Sequence, residues 1–495
     1  MKIWSGSPQS KLAVIGALLA LALLPSVSGC STSPENPLTR VFRIVGTGQS
    51  LPPEAQREFK RFDVAYHKYV SKPDQAQLDY FGFAFKRLRT GYVRPVSDKD
   101  LIDAAIKGVE DAKVEAGSMS SGDVVEAALD AMTASLDPHT AYLNGEEFRE
   151  SFVHTKGEFG GLGIEVTMEE GFVKVVSPIE DTPAARAGLR SGDLITHVDS
   201  NAIQGKTLRE AVRQMRGAPG SEILLKIRRK DRADFDVTLV RAVIKVRAVK
   251  WRLEDRIGYI RVSRFSERME GGIVKAVASI RAELGGQPDG IVLDLRNNPG
   301  GLLDQSVILA DTFLNEGEIV SVRGRDSRNK RSFDAESGDL LNGLPMVVLI
   351  NGGAASASEI VASALKVHKR ATVMGTRSFG KGSVQTIIPL PIEGALKLTT
   401  ALYYGPDGQT IQALGVVPDI RIEPEEEVAA RKEADLPGAI SARNGVDSSD
   451  QSKVHIKTCQ EVGERKDREL GCALEFLKAG SKQKFLVEHS GRQQM

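Results

Sequence analysis

Cysteine is scarce in this chain of 495 residues: Cys30, Cys459 and Cys472 are the only three, and no Cys-x-x-Cys pair exists. His455 is the one histidine near the last two, a pattern that argues against a metal site. An excess of one charge is also missing. Sixty-six Lys and Arg stand against 65 Asp and Glu, a net charge of +1, so the balance gives no sign of nucleic-acid binding. No apolar run is long enough to span a bilayer comfortably; residues 12–24, preceded by Lys2 and Lys11, read as a signal peptide. What remains is an ordinary globular composition, long enough for two to four domains and a sizeable core.

The leader ends in Val27-Ser28-Gly29-Cys30. Small residues before a cysteine resemble a bacterial lipobox, which implies that Cys30 is lipidated and becomes the first mature residue. Acyl chains would then hold the protein on a membrane without a spanning helix. Ser31 after the cysteine is compatible with the outer membrane, by resemblance to lipoprotein sorting rules. In such an export compartment Cys459 and Cys472 are expected to form one disulfide.

The chain is expected to be a multidomain α/β protein. After the leader (1–30), residues 31–53 are rich in Ser, Pro, Thr and Gly and read as a flexible tether. Residues 54–154 look helical: Leu101, Ile102, Ala105, Ile106 and Val109 recur at helical spacing, as do Val124, Val125, Ala128, Leu129 and Met132. Residues 155–243 shift to short strands and glycine turns. Residues 244–424 form an α/β region with apolar strands near 257–262, 290–295, 346–350 and 371–374. Residues 425–495 are polar, with one helical pattern near 473–477, and read as a peripheral tail.

Within 155–243, Phe159-Gly160-Gly161-Leu162-Gly163-Ile164 precedes an alternating strand, and Thr182-Pro183 and Gly192-Asp193 follow at intervals. The ordered set resembles a PDZ domain. Glycines there make a backbone nest for a terminal carboxylate, and the next strand accepts a peptide by β-augmentation. On that resemblance Gly160, Gly161, Leu162, Gly163 and Ile164 bind the peptide, beside a helix near 208–215. Arg216 at the end of this helix is either a solvated helix-end cation or a coupling to the core.

The chemistry concentrates in 351–385. Ser356 falls at a helix start, where free N–H groups and the helix dipole favour negative charge. A helix to Lys369 runs about 21 Å at 1.5 Å per residue. A return strand over 370–375 recovers about 20 Å. Lys381, between two glycines, can therefore end beside Ser356 as its base, with a pKa depressed by burial or nearby positive charge. The turn in 294–301 exposes backbone N–H groups. Gly300 or Gly301 with Ala357 can complete an oxyanion hole. No histidine recommends itself as the base. Residues 375–381 match most of a P-loop, but Gly382 stands where Ser or Thr is needed and a strand follows where a helix should start.

Over residues 56–424 the chain resembles the C-terminal processing peptidases, PDZ-containing serine–lysine proteases. The motifs are Leu136-Asp137-Pro138-His139-Thr140, the PDZ segment, the 294–301 turn, Ala355-Ser356-Ala357-Ser358-Glu359, Phe379-Gly380-Lys381-Gly382 and Gln385. The resemblance implies a crotonase-like core, Ser356 as nucleophile, Lys381 as general base and Gln385 as the residue that positions it. It implies an exported periplasmic endopeptidase that needs no cofactor and acts on proteins or peptides with accessible C-termini. A homo-oligomer and an adaptor protein are compatible with it. The competing expectations are an inert PDZ scaffold and a ligand-binding relative that lost cleavage.

Overall fold

The computed structural model describes residues 51–492 apart from 113–116, 157, 180–181, 231, 246–247, 327–329, 337, 426–430, 443–450 and 465. The leader, the lipobox with Cys30 and nearly all of the tether lie outside the described residues. Among those described, no helix is long and apolar enough to cross a membrane.

Four helices open the fold: α1 (Pro53–Tyr69), α2 (Gln75–Gly91), α3 (Asp98–Asp111) and α4 (Ser121–Ala134). Proline starts α1, while Asp74, Ser97 and Ser120 cap the others by accepting N–H bonds. The helically spaced residues of α3 and α4 point inward. Their cluster continues into Leu390, Leu396, Leu398 and Leu402, so the helices brace the C-terminal half rather than standing apart. Strand β1 (Ala141–Leu143) pairs with the later strand Ala395–Tyr404, and α5 (Gly145–Lys156) leads on.

The next module is closed by β2 (Glu158–Gly161) pairing with β9 (Ala242–Lys245). Between them lie β3 (Ile164–Glu169), β4 (Phe172–Pro178), α6 (Pro183–Arg186), β5 (Leu194–Val198), β6 (Asn201–Ala202), α7 (Leu208–Met215), β7 (Glu222–Arg228) and β8 (Phe235–Val240). The sheet order is β3-β4-β5-β7-β8, with β6 on β5, so β3 is an edge. Strict alternation in β7 buries Ile223, Leu225 and Ile227. Thr207 and Glu210 form a reciprocal capping box that starts α7.

The C-terminal half holds a seven-stranded sheet ordered β10 (Val249–Glu254), β11 (Ile257–Val262), β12 (Gly290–Asp294), β15 (Met346–Ile350), β16 (Thr372–Gly375), β19 (Ile420–Glu423), β20 (Ser452–His455). All neighbours are parallel except β10 with β11. Helices α8 (Met269–Leu284), α9 (Leu303–Asp311) and α10 (Ala357–Val367) cover the face that carries Ile291, Leu293, Val348 and Ile350. The intervening Val292, Val347 and Leu349 face the other way. They pack on Leu470, Ala473 and Leu474 of α11 (Arg468–Ala479) and on Phe485 of α12 (Lys482–Arg492). A parallel sheet needs both faces covered. The segment expected to be a peripheral tail supplies the second cover and the edge strand β20. Its polar composition hid this, because only one stripe of each helix is buried.

A second sheet joins β1, β13 (Glu318–Gly324), β14 (Lys330–Asp334), β17 (Ser383–Pro389) and β18 (Ala395–Tyr404). Cys459 and Cys472 are joined by a disulfide, with Cα atoms 5.0 Å apart.

Candidate active site

Ser356 sits between β15 and α10 with φ +56° and ψ −113°, a backbone that L residues rarely adopt. Neighbours hold it there. Its N–H donates to Glu359 Oε2 at 2.6 Å, its carbonyl accepts from Glu359 and Ile360, and Ala355 N–H donates to Asn298 C=O at 3.0 Å. Strain held in this way is common where a side chain must project from a sharp turn.

Lys381 arrives from the other side, on the loop after β16. Phe379 N–H bonds Ala354 C=O, Ala413 N–H bonds Gly380 C=O, and Gly382 N–H bonds Gln412 Oε1 at 2.9 Å. Gly380 adopts φ +99°, and a Cβ on Gly382 would lie 2.2 Å from Gln412 N, so glycine is required on both sides of the lysine.

Glu359 unites the two halves. It is fully buried on α10, and its Oε2 accepts from Ser356 N–H (2.6 Å) and Lys381 N–H (2.9 Å). Its Oε1 accepts from Gly380 N–H and Ser378 Oγ, both at 2.6 Å. Because one oxygen binds both backbones, Ser356 and Lys381 cannot be further apart at the main chain than two hydrogen bonds end to end. Burial pushes the Glu359 carboxyl up to about 7, against its four donors. Burial, and then the charge of Lys397, pull the Lys381 ammonium down to about 8, against Glu433, Glu359 and Asp137.

The other candidates divide. A Cβ on Gly300 would meet Ala355 O at 2.8 Å, Ser356 Cβ at 2.9 Å and Ala357 N at 3.0 Å, which places this glycine against the serine turn. Its N–H, however, donates to Asn298 Oδ1 at 2.9 Å. The N–H groups of Ala357 and Gly301 have no partner among the described residues. Gln385, on β17 opposite Thr399, donates from Nε2 to Ser383 Oγ (2.9 Å) and Thr399 Oγ1 (3.3 Å). The expected bond from Gln385 to the Lys381 amine is not among these; the amide reaches a hydroxyl that itself donates to Asp137 Oδ1 at 3.1 Å.

In the smaller module, Gly160 and Gly161 lie in β2, Leu162 and Gly163 in the turn, and Ile164 opens β3. The carbonyls of Leu162 and Gly163 point inward, accepting from Ala184 N–H and from Ile179 N–H and Thr182 Oγ1. Their own N–H groups are unbonded among the described residues, as an anion nest requires. Arg216 ends α7, its N–H on Val212 C=O. A cleft of about 1320 Å³ runs from Ile179 and Thr182 past Arg261 to Asn297 and Asn351, at the rim of the serine turn, with Asp467 on its wall.

The model of peptidase family S41 matches residues 256–422, and the PDZ domain model matches residues 160–239. A carboxy-terminal-processing protease of Bartonella bacilliformis is 51% identical over 350 residues, 70% of this chain and 75% of that protein. The chain belongs to peptidase family S41. A probable CtpA-like serine protease of Staphylococcus aureus is 34% identical over 72% of this chain and 66% of that protein. Among solved structures, the photosystem II D1 C-terminal processing protease matches with TM-score 0.44 and 27% identity, over 71% of this chain and 94% of that one. By its family and its 51% identical relative, this S41 protein is a PDZ-containing serine-type peptidase.

Three neighbours of this S41 site were given no role by the sequence alone. Glu359 had a usable signal, since Ser356-x-x-Glu359 is a capping-box spacing. Lys397 had only its place on an apolar strand. Glu433, also fully buried, bonds His139 Nε2 at 2.8 Å and Gln412 Nε2 at 3.0 Å behind the lysine loop, across 294 residues from His139. Nothing local could reveal it.

Proposed function

We propose that Ser356 is the nucleophile and Lys381 its general base. The neutral amine takes the hydroxyl proton as Oγ attacks the peptide carbonyl. The ammonium so formed then protonates the leaving nitrogen, and the neutral amine next takes a proton from the water that resolves the acyl-enzyme, returning it to Ser356 Oγ. The observation that carries this reading is the Glu359 carboxylate, which ties the backbones of both residues in one buried site. Ala357 N–H and a glycine of the 300–301 turn receive the developing oxyanion. Gln385 steadies the wall beside the amine through Thr399 and Asp137.

The substrate class is protein with an accessible, unfolded C-terminal tail. The free N–H groups of Leu162 and Gly163 hold the terminal carboxylate, and the open edge of β3 pairs with the preceding residues. The cleft between this module and the catalytic half takes the chain toward Asn297 and Asn351. Comparison of wild type with Ser356→Ala and Lys381→Ala on an unstructured exported protein tests the dyad. Both variants should be inactive, and equal degradation by all three would sink it. The place of action is the periplasmic side of a bacterial membrane, the outer one favoured, held by acyl chains on Cys30. Cys30→Ala should move the protein from the membrane pellet to the soluble fraction; retention in the pellet counts against the anchor.

A further inference from the structure

The turn that carries Gly300 and Gly301 is reached from β12 through Arg296, a side chain whose donors are all engaged. It is 8% exposed, and all five of its guanidinium donors are used. Nε and Nη2 donate to the Asp294 carboxylate at 3.0 and 2.7 Å. The other three bonds go to the C-terminal segment: Nη1 and Nη2 to Asp467 at 2.9 and 2.6 Å, and Nη1 to Glu469 at 2.6 Å. Asp294, itself fully buried, also accepts from Tyr259 Oη and Arg261.

From Arg296 the constraint passes directly to the serine turn. Its carbonyl accepts from Arg261 at 3.1 Å. The next residue, Asn297, has φ +55° and exchanges two hydrogen bonds with Asn351. Asn298 then holds Gly300 N–H on its side chain, while its carbonyl accepts from Ala355 N–H and Ser358 Oγ, on either side of Ser356. The carboxylates at the far end are themselves fixed. Asp467 caps α11, Arg468 bonds Cys459 C=O at 2.7 Å, and the Cys459–Cys472 disulfide brackets the segment.

We propose that Asp467 and Glu469 are positioning residues for peptide hydrolysis, setting the 296–301 turn through Arg296, and that the disulfide keeps them in place. With both carboxylates neutralised, the buried guanidinium loses its charge-assisted bonds to this segment and at least one acceptor oxygen, and the turn shifts as it pairs anew. The inference rests on the reading of Ser356 and the glycine turn given above.

The experiment uses the full chain and a short unstructured peptide too small to need PDZ capture. Asp467→Asn with Glu469→Gln keeps the side-chain volumes and removes both charges. The expected result is a fall in kcat of tenfold or more with KM within about twofold of wild type, while melting temperature and circular dichroism show a folded protein. Asp467→Glu with Glu469 intact should recover most of the rate. The Cys459→Ser, Cys472→Ser pair, or wild type treated with a phosphine reductant, should lose kcat in the same sense by a smaller factor. Unchanged kcat in the Asn/Gln variant overturns the proposal, and so does a loss that merely tracks the unfolded fraction. If Ser356→Ala remains active, the underlying dyad fails instead; if Ser356→Ala is dead and the Asn/Gln variant is fully active, only the positioning role fails.

Discussion

Glu359→Gln is the substitution that separates the present site from any simpler serine–lysine pair. Two titrations meet there, one displaced upward and one downward. The Glu359 carboxyl lies near 7 instead of 4.5, and the Lys381 ammonium near 8 instead of 10.5. The proposed dyad needs the lysine neutral and the glutamate ionised, since a protonated carboxyl would turn its own hydrogen toward one of four N–H or O–H donors. Both conditions improve as pH rises. Between pH 6 and 7 the neutral lysine fraction grows about tenfold and the ionised glutamate fraction about fivefold, so kcat/KM should climb about fiftyfold. Glutamine removes one of the two protons from this account. Its profile should climb only about tenfold over the same interval. Its midpoint should fall below 8, because the negative charge that favours the ammonium is gone. The plateau should drop as well. The amide nitrogen cannot accept, so at least one of four donors is orphaned. At about 1–3 kcal/mol this is roughly 5- to 150-fold if it falls wholly on the transition state. The assay is kcat/KM on a short peptide from pH 5.5 to 9.5 at constant ionic strength. A glutamine variant with the wild-type slope and midpoint would refute the linkage of Glu359 to Ser356 and Lys381.

Gly300→Ala should lower kcat by about a hundredfold or more, because a Cβ there meets the Ser356 turn at 2.8–3.0 Å and the residue holds φ +101°; a fall under threefold would remove Gly300 from the site. Lys397→Met takes away a positive charge that helps keep Lys381 neutral, so the midpoint of its pH profile should move above that of wild type and activity at pH 7 should fall. Gly163→Ala forces a Cβ to within 2.3 Å of Thr182 at φ +78°. Anisotropy of a labelled C-terminal peptide should show lost binding, with cleavage of a short peptide retained. Phe485→Ala, at a side chain with no exposure, should cost about 3–5 kcal/mol in denaturant unfolding if α12 truly seals the sheet.

Local instructions in this chain are strong. The two inward stripes of α3 and α4, the capping box of α7, the glycine turns before β3 and after β12, and the strand that follows Lys381 all follow from spacing over a few residues. So does the return of Lys381 toward Ser356, which needs only one helix length and one strand length. Tertiary structure decided what makes those residues chemical. Burial and the neighbouring Lys397 depress the lysine, and Glu359 joins two loops that approach each other only because β15 and β16 are adjacent in the sheet. Glu433 stands behind them from a segment whose composition reads as a peripheral tail. The polar C-terminus turned out to cover a sheet face and to hold Arg296, because a half-buried helix shows few apolar residues and a carboxylate chooses its arginine by proximity in space. Desolvation and charge coupling depend on which distant pieces of chain exclude water from a site, and that information is spread over hundreds of residues rather than written at any one of them.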